Sequence, residues 1–313
     1  MEREWHIGVV IPARNEQDHI AGVLESLPNT VDLAVVVDDG STDETYQRAI
    51  DAASTCEVIV LKSAGEGVGA AIDRGHQHLL KTLPQPFASI VMAGDGQMNP
   101  DDLHALVSPL LQGEADHVKG NRNMHPNGYN RMPTTRQRAS KILGWLTTLA
   151  SGLPVTDPQC GYTATSSEVL KEWNWAKSWK TYGYPNYWLI NLSKEGWRVA
   201  EIPVESIYRN EVSGIKSFPF FSTVGWMMTR EHHRRNIAWL MPPLVLPHSL
   251  FALLAYVLGW SAMLPMLTND LEQELVGRGI PPVLLVLLFW SLAHVFDRQA
   301  TRIRRELRRN AKT

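Results

Sequence analysis

Carboxylate side chains follow three short apolar runs in the N-terminal half of this chain. Glu16, Asp38, Asp39 and Asp95 each lie at the end of such a run or just after it, and Asp95 stands between two glycines. If the runs are parallel strands, their carboxyl ends share one edge, where α/β sheets bind ligands. Crowded carboxylates repel unless a cation compensates. The pattern therefore predicts a site for Mg²⁺ or Mn²⁺ shared with substrate phosphates, although an Asp-Gly pair alone is more often a plain turn.

Cationic side chains that could meet phosphates lie in predicted loops and element ends. They are Arg14, Arg122, Arg131, Arg138, Arg209 and Lys216. The guanidinium fork matches phosphate oxygens. Each of these residues alone is more often a solvated surface group. The surrounding sequences Gly120-Asn-Arg and Tyr208-Arg-Asn-Glu-Val-Ser-Gly-Ile-Lys single out Arg122 and Arg209.

The elements that must position these groups alternate between strand and helix. Predicted strands cover 7–12, 33–38, 58–61, 89–92 and 117–120, with a strand pair near 197–208. Predicted helices begin near residue 20 and cover 45–53, 65–81, 101–111 and 136–151. The strands are continuous apolar runs, which is typical of a parallel sheet covered on both faces. We therefore predict a Rossmann-like, mostly parallel α/β sheet with helices on both faces.

Composition excludes some classes of protein. The 313 residues carry a net charge of −2, so there is no global basic field of the kind that nucleic-acid binders have. Cys56 and Cys160 lie far apart and match no metal-binding spacing. Together with the lack of a signal peptide pattern, they favour a reduced cytosolic setting for the main domain.

The C-terminal third contains two long stretches without Asp, Glu, Lys or Arg, at 237–267 and 280–296. As helices, 244–267 would extend about 36 Å and 280–296 about 26 Å. The first length exceeds the hydrocarbon core of a bilayer, and the second is near the lower limit. Buried core helices are the alternative. We predict a two-helix transmembrane hairpin, preceded by an amphipathic interfacial helix.

The charges around these stretches predict an orientation. Arginines precede the first stretch and follow the second, whereas Asp270, Glu272 and Glu274 lie between them. The positive-inside rule then puts both basic ends in the cytosol, and the basic tail against anionic headgroups. The predicted organisation is a catalytic domain (1–217), a juxtamembrane helix (218–236), a hairpin (237–297) and a tail (298–313), in a multi-pass protein of the cytoplasmic membrane.

Several segments together resemble the family 2 inverting glycosyltransferases. They are Val9-Val-Ile-Pro-Ala-Arg-Asn-Glu16, Val36-Val-Asp-Asp-Gly-Ser-Thr-Asp43, Gly67-Val-Gly-Ala-Ala71, Asp95-Gly-Gln97 and Gly120-Asn-Arg122. Asp157-Pro-Gln-Cys-Gly-Tyr162 and the spacing Arg209, Ser213, Lys216 are similar to the dolichol-phosphate mannose synthase and polyprenyl-phosphate glycosyltransferase branch. The resemblance covers residues 5–217 and extends to the C-terminal hairpin only in kind.

The resemblance implies a GT-A fold, a nucleotide-sugar donor and a polyprenyl-phosphate acceptor at a membrane. It also assigns roles to residues. Donor binding is implied for Pro12, Arg14, Glu16, Asp38, Asp39 and Lys216, catalysis for Asp95, Arg122 and Arg209, metal binding for Asp95 and Gln97, and acceptor or membrane-interface roles for Arg131, Arg138, Asp157 and Ser213. A homo-oligomer is compatible with the sequence.

The chain departs from the family pattern at two positions. Ala93 stands where the family usually has the first acid of Asp-x-Asp, and Asn186 stands near where relatives often carry a glutamate. One expected metal ligand is therefore missing. Either Asp95 and Gln97 hold the cation with substrate phosphates and water, or another acid such as Asp38 helps.

Three other functions compete with a lipid-phosphate transferase. A lipid or glycan hydroxyl as acceptor would require a general base, whereas a lipid phosphate is already an anionic nucleophile. A processive polysaccharide synthase would carry Gln-x-x-Arg-Trp before its membrane helices, where this chain has Arg-Glu-His-His-Arg-Arg-Asn. A degenerate nucleotide-sugar-binding protein would explain Ala93, but the retained Asp39, Asp95 and Arg122 argue against it.

Overall fold

The structure is a computed structural model that describes residues 5–127, 134–207, 217–242, 244–264, 273–274, 276–277 and 281–311. The chain forms two compact units. The first comprises residues 1–146, 155–188 and 197–225, and the second comprises residues 147–154, 189–196 and 226–313. Two short internal segments thus belong with the C-terminal region, although they come from the N-terminal two-thirds of the sequence.

A seven-stranded sheet forms the centre of the first unit. Its strands are β1 (His6–Ala13), β2 (Leu33–Asp39), β3 (Glu57–Ser63), β4 (Phe87–Val91), β5 (His117–Asn121), β6 (Thr163–Ser166) and β7 (Val199–Pro203). They are ordered β3-β2-β1-β4-β6-β5-β7. Strand β6 runs antiparallel to β4 and β5, and every other pair is parallel. The predicted mostly parallel α/β sheet is confirmed, with β6 as an unpredicted antiparallel insertion.

Helices of the described residues agree with those predicted up to residue 151, whereas the two within 167–195 were not predicted. They are α1 (Ile20–Glu25), α2 (Thr45–Asp51), α3 (Val68–Thr82), α4 (Leu103–Leu111), α5 (Thr134–Ser151), α6 (Ser167–Glu172), α7 (Tyr184–Glu195), α8 (Ser217–Ala238), α9 (Pro247–Ser261) and α10 (Pro282–Asn310). The predicted strand pair near 197–208 contains one strand among the described residues, β7.

Helices cover both faces of the sheet. Alternate residues of a strand point to opposite faces. Val9 and Ile11 lie in the core formed with α1 and α4. Val10 instead meets α3, where a Cβ atom added to Gly75 would lie 2.3 Å from Val10 Cγ1. This close approach of helix and strand requires glycine, and every residue of β1 after His6 is buried.

A buried ion pair organises the second unit. Arg235 on α8 donates to both carboxylate oxygens of Asp297 on α10, at 2.9 and 2.7 Å, and both side chains are fully buried. Asn236 Nδ2 also donates to Asp297 at 2.8 Å. A second nitrogen of Arg235 donates at 2.7 Å to both Thr301 Oγ1 and the Ser151 carbonyl. Buried charges require such partners, so this cluster fixes where α8 meets α10.

The basic end of α10 contacts the end of α7 within the same unit. Arg304 Nε donates to the Lys194 carbonyl at 3.2 Å, and a guanidinium nitrogen of Arg308 donates to the Glu195 carbonyl at 3.1 Å. The last carbonyls of a helix lack intrahelical partners and attract cations. At least these two arginines of the tail therefore pack on protein.

The predicted two-helix transmembrane hairpin has to be corrected. Among the described residues, one helix is long and apolar enough to cross a membrane, the 29-residue α10. The first apolar stretch forms α9, which has only 15 residues. At about 22 Å, it is shorter than the roughly 30 Å hydrocarbon core of a bilayer. It packs on α10 through small residues, among them Ala252, Ala255 and Ala293. A multi-pass protein is thus not supported.

Candidate active site

The carboxyl ends of β1, β2 and β4 lie side by side. In the parallel register, Ala13 is opposite Asp38, and Val10 is opposite Val91. The ends of these strands and the loops that follow them carry the predicted metal residues and, apart from Lys216, the predicted donor residues. Beyond the strand ends, the amide of Gly94 donates to the Pro12 carbonyl at 3.1 Å. The sheet therefore brings the strand-end motifs together at one edge, as their order in the sequence predicts.

Asp39 is buried and holds the loop that precedes α3. Its Oδ1 accepts hydrogen bonds from Ser63 Oγ at 2.8 Å and from the Glu66 amide at 2.9 Å. Its Oδ2 accepts from the Gly67 amide at 2.8 Å. The residue is only 3% exposed. Asp39, a predicted donor residue, thus fixes the backbone of this loop.

The loops after β1 and β2 are joined by reciprocal hydrogen bonds. Asn15 adopts a left-handed conformation with φ of 56°. Its amide donates to Ser41 Oγ at 2.9 Å, and its Oδ1 accepts from the Thr42 amide at 2.9 Å. The Glu16 amide donates to Thr45 Oγ1 at 2.7 Å. This bracing fixes the backbone on both sides of the predicted donor residues.

The four predicted donor residues around this bracing differ in exposure. Pro12 and Asp38 are buried, and Asp38 Oδ1 accepts from the Ser41 amide at 2.9 Å. Glu16 is half-buried, with its Oε2 3.2 Å from His19 Nδ1. Arg14 is exposed and lies beside Gly65, since a Cβ atom there would be 3.9 Å from the Arg14 guanidinium. Arg14 is therefore an exposed cation beside the Asp39-bound loop.

Asp95 lies in a tight turn pinned on both sides. Gly96 has a positive φ of 69°, and the Gln97 amide donates to Asp95 Oδ1 at 3.0 Å. The Gln97 carbonyl accepts from the Ile207 amide at 2.9 Å. The Asp95 side chain is half-buried. Gly96 can adopt the left-handed conformation that this reversal of the chain requires. The predicted metal ligand Asp95 therefore lies within the predicted turn.

The turn supplies few metal ligands. In the described part of the chain, no three His, Cys, Asp or Glu side chains are grouped so that they could hold a metal ion. Ala93 contributes no side-chain oxygen, and its amide faces the Met98 sulfur at 3.3 Å. Mg²⁺ commonly binds one or two carboxylates and completes its shell with substrate phosphates and water. Asp95 and Gln97 fit that kind of shared site, and they do not form an all-protein cage.

Arg122 and Asp157 form a buried pair. Arg122 Nε donates to Asp157 Oδ2 at 2.7 Å, and a terminal guanidinium nitrogen donates to Oδ1 at 2.8 Å. Asp157 is fully buried and Arg122 is 9% exposed. Burial raises the pKa of the Asp157 carboxyl, but the hydrogen bonds and charge of Arg122 outweigh it, so the pKa lies below its usual value. The two residues, predicted to contact phosphates and the acceptor separately, form one ionic unit.

Three residues around this pair were not predicted from the sequence. Lys119 is fully buried and donates to the Cys160 carbonyl. Burial lowers the pKa of Lys119, and the nearby Cys160 and Asp157 oppose that shift. Glu201 on β7 accepts from the Thr156 amide at 3.3 Å, and Ser140 lies 3.4 Å from Asp157 Oδ1. The sequence contained one indication of this cluster, the lysine in the five-residue strand β5. A lysine that is buried in a strand needs polar partners nearby.

The remaining predicted residues fall into two groups. Arg138 is exposed on α5. Arg131, Arg209, Ser213 and Lys216 lie outside the described residues. Asn186, which stands near a family glutamate position, is buried and accepts a hydrogen bond from Gln159 Nε2 at 2.6 Å.

Comparison with known proteins identifies a family. The family model described as glycosyl transferase family 2 matches residues 8–173. The chain is 31% identical over 219 residues to the UDP-N-acetylglucosamine–dolichyl-phosphate N-acetylglucosaminyltransferase of Methanococcus voltae, a match that covers 64% of this chain and 86% of that relative. It is also 27% identical over 213 residues to the undecaprenyl-phosphate mannosyltransferase of Micrococcus luteus, covering 64% and 83% of the two chains.

Solved structures agree on the fold. Glucosyl-3-phosphoglycerate synthase from Mycobacterium tuberculosis, in complex with Mn²⁺, UDP and phosphoglyceric acid, matches with a TM-score of 0.53 and 24% identity over 74% of this chain and 78% of that one. The same enzyme with Mn²⁺ and UDP-glucose matches with a TM-score of 0.51 and 25% identity, covering 76% and 80%. The first unit therefore has a GT-A-like α/β architecture.

Proposed function

The chain belongs to glycosyl transferase family 2, and from that premise we propose that it transfers a sugar from a nucleotide-sugar to a polyprenyl phosphate at a membrane surface. The observation that carries the proposal is the convergence of the β1, β2 and β4 ends. Their loops present Arg14, Asp39 and Asp95 at one edge of the sheet. Relatives named for transfer to dolichyl and undecaprenyl phosphates support the acceptor class.

The donor is held at the β1 and β2 ends in this proposal. The nucleoside lies against the loop fixed by Asp39, and Arg14 meets its phosphates. The exposed position of Arg14 beside Gly65 supports this role, since a guanidinium can contact a diphosphate without first breaking a buried ion pair. Complexes of the solved structural neighbour with UDP-glucose support a nucleotide-sugar as donor.

A divalent cation, Mg²⁺ or Mn²⁺, would be held by Asp95 and Gln97 together with the donor diphosphate. Bound there, it would neutralise charge on the leaving diphosphate. The half-buried Asp95 and the pinned backbone of Gln97 support this assignment. The structural neighbour is described with Mn²⁺ and, in another complex, with Mg²⁺.

The reaction that fits these groups is an in-line displacement with inversion. A phosphate oxygen of the lipid attacks the anomeric carbon of the sugar, and the bond from that carbon to the diphosphate oxygen breaks. The nucleoside diphosphate leaves with the bonding electrons. Since a phosphate monoester is anionic at neutral pH, the protein does not have to remove a proton from the nucleophile. Its own contribution is alignment and charge stabilisation.

Arg122 and Asp157 would act together on the acceptor side. The buried carboxylate of Asp157 fixes the guanidinium plane through two side-chain hydrogen bonds, so Arg122 would stabilise the acceptor phosphate as a preorganised positive charge. Preorganised donors lower a barrier because they need no rearrangement during the reaction. Arg209 and Lys216 would add charge from the segment that follows β7.

Attachment to the bilayer would bring the enzyme to its lipid acceptor. Exposed leucines such as Leu284, Leu287 and Leu288 line α10, at 53–58% exposure, and α9 adds Leu254 at 50%. Bilayer lipid would cover these side chains. The arginines at both ends of the apolar region favour the cytosolic side for the catalytic unit. In this form, one helix anchors the protein and α9 packs beside it.

Two alternative functions have observations in their favour. Ala93 and the missing metal ligand are compatible with a nucleotide-sugar-binding protein that does not catalyse transfer. The solved structural neighbour, which is named a glucosyl-3-phosphoglycerate synthase and was solved with phosphoglyceric acid, is compatible with a hydroxyl acceptor. The first alternative predicts no product, and the second predicts a glycoside in place of a glycosyl phosphate.

The test uses membranes that contain the full chain. Radiolabelled UDP-N-acetylglucosamine, UDP-glucose and GDP-mannose are each supplied with Mg²⁺ or Mn²⁺ and polyprenyl phosphate, with and without EDTA. We expect label from one donor in the organic extract, dependent on the metal and released by mild acid, as a glycosyl phosphate is. Lipid label that resists mild acid would indicate a hydroxyl acceptor. No label from any donor, despite donor binding in a thermal-shift assay, would indicate a binding protein.

A further inference from the structure

A short segment, residues 178–182, lies across the beginning of α3. A Cβ atom added to Gly67 would lie 2.7 Å from the Lys180 carbonyl oxygen, and one added to Gly69 would lie 2.3 Å from the Trp179 carbonyl oxygen. The Ala70 amide donates to the Lys180 carbonyl at 3.0 Å. The two glycines are thus needed for backbone contact. The segment thus packs on the first turn of α3 and takes up the amide of Ala70.

Side chains fasten the same segment to α3. Lys180 Nζ lies 2.6 Å from Asp73 Oδ2, and Ser178 Oγ donates to Asp73 Oδ1 at 2.9 Å. Asp73 is only 2% exposed. Lys180 therefore contacts α3 at two points. Its carbonyl accepts from the Ala70 amide, and its ammonium group pairs with Asp73 about one turn later. Such a double attachment fixes the position of the residues that follow it.

The 178–182 segment adjoins the loop held by Asp39. The amide of Gly67 donates to Asp39 Oδ2, while the α-carbon of the same residue faces the Lys180 carbonyl. Thr181 is also close, since its Cγ2 would lie 3.3 Å from a Cβ on Gly67. Gly67 thus contacts both Asp39 and the 178–182 segment.

An aromatic ring at the end of the segment is exposed without an evident structural need. Tyr182 is 60% exposed, whereas Trp173, Tyr184 and Trp188 nearby in the sequence are all buried. Trp179 Nε1 donates to the Tyr182 carbonyl at 2.9 Å, so the turn that presents the ring is fixed. A rigid tyrosine offers both an apolar face and a hydroxyl to a ligand at little entropic cost.

We propose that the 178–182 segment forms a wall of the donor site and that Tyr182 contacts the nucleotide-sugar. Lys180 and Asp73 are positioning residues, because they hold the turn and do not touch the donor. The inference rests on the proposed glycosyltransferase function and adds a residue that selects among donors. Three observations support it: the backbone contacts at Gly67 and Gly69, the Lys180–Asp73 ion pair, and the exposed Tyr182 ring on a hydrogen-bonded turn.

The test compares variants of the full chain in detergent with the donor that the wild type uses. Tyr182→Ala is expected to raise the donor KM about 5- to 10-fold, with kcat and acceptor KM changed less than about twofold. Tyr182→Phe separates the ring from the hydroxyl and should stay within about threefold of the wild type. Lys180→Met should raise the donor KM as well, whereas the matched variant Lys171→Met, an exposed lysine on α6, should not.

Donor selectivity and binding separate this inference from the proposed function. In the Tyr182→Ala variant, the preference among UDP-N-acetylglucosamine, UDP-glucose and GDP-mannose should narrow, as judged by the ratio of kcat/KM values. Thermal shift with each donor and Mn²⁺ should show weaker binding at an unchanged melting temperature of the free protein. Wild-type-like donor KM and selectivity in folded Tyr182→Ala would overturn the inference and leave the function intact. A wild type that binds none of the donors would overturn both.

Discussion

The guanidinium of Arg122 and the carboxylate of Asp157 are joined by hydrogen bonds of 2.7 and 2.8 Å, and the Arg122 amide donates to the same carboxylate at 3.0 Å. Backbone and side chain of one residue therefore bind the same partner. This links the end of β5 to the segment 156–160 that leads toward β6. It also means that a change of either residue leaves the other buried without its main partner.

Asp157→Asn should both destabilise the first unit and reduce transfer. Loss of one partner from a buried ion pair costs on the order of 3–5 kcal/mol, because the remaining charge is left uncompensated. We expect a lower urea midpoint and loss of most activity. The matched control is Glu44→Gln, which removes the exposed partner of Arg48 and should change stability by less than about 1 kcal/mol. Equal midpoints for the two variants would contradict a structural role for the pair.

The same pair predicts a loss of stability in acid. The pKa of Asp157 in the folded protein is lowered, so its contribution is fully present above the ordinary carboxyl pKa and is lost as the pH falls through the lowered value. The stability difference between the wild type and Asp157→Asn should therefore shrink toward low pH. Urea midpoints at pH 7, 5 and 3 measure it, and a constant difference would argue against an ionised carboxylate.

Asp95→Ala should abolish transfer without unfolding the protein. The side chain is half-buried, so its removal should leave the melting temperature and membrane retention close to those of the wild type. Loss of the metal and diphosphate contact should reduce kcat at least about 100-fold. Asp101→Ala changes an exposed acid six residues further along and should retain activity. Full activity in Asp95→Ala would refute the metal assignment.

Ala93→Asp should raise the affinity of the enzyme for its metal ion. The substitution adds the acid that the family pattern has at this position, two residues before Asp95. A second carboxylate should lower the Mn²⁺ concentration that gives half-maximal activity, since ligand charge sets the affinity for hard cations. Ala93→Asn offers similar size without the charge and serves as control. An unchanged metal requirement in both variants would place the cation elsewhere.

Asp73 should make the free energy of unfolding depend on pH in the opposite direction from an acid whose pKa is lowered on folding. Burial raises the pKa of Asp73 to about 6, although Lys180 and Ser178 oppose the rise. The folded state thus binds the proton more tightly than the unfolded state, and the contribution of this group falls as the pH rises from about 4 to about 6. Asp73→Asn cannot titrate.

The stability gap between the wild type and Asp73→Asn should therefore change between pH 4 and pH 6 and stay constant above about pH 7. Thermal melting of the full chain in detergent at pH 4.5, 5.5, 7 and 8 measures it. Asp43→Asn, which removes a half-buried, hydrogen-bonded acid whose pKa is lowered, gives the opposite sign. A gap that is flat from pH 4.5 to 8 would contradict the raised pKa.

Asp297→Asn should destabilise the second unit. Arg235 and Asp297 are both fully buried, so removal of the acid leaves a buried guanidinium, at a cost on the order of 3–5 kcal/mol. Faster proteolysis of the C-terminal region would report it. Glu306→Gln breaks the exposed pair with Arg302 and should have little effect. Equal protease resistance would show that the clustered hydrogen bonds, and not the charge, hold α8 to α10.

The sequence by itself determined most strands and helices up to residue 151 and the sheet edge where the motif residues meet. Continuous apolar runs identified β1, β2 and β4, and in a parallel sheet their ends necessarily share an edge. This is why Asp39 and Asp95 could be assigned to one site from spacing alone. The motif residues also carried the family, because they stand in register with one another.

Only the tertiary structure decided which residues pair across long distances. The bond between Arg122 and Asp157 spans 35 residues, and the contact between Asp73 and Lys180 spans 107. Such contacts depend on how the sheet is ordered, and the antiparallel insertion of β6 leaves no periodic signal in four residues. The length of α9 could not be predicted either. A stretch without charged residues shows where an apolar helix can form, but it does not show at which residue the helix begins or ends.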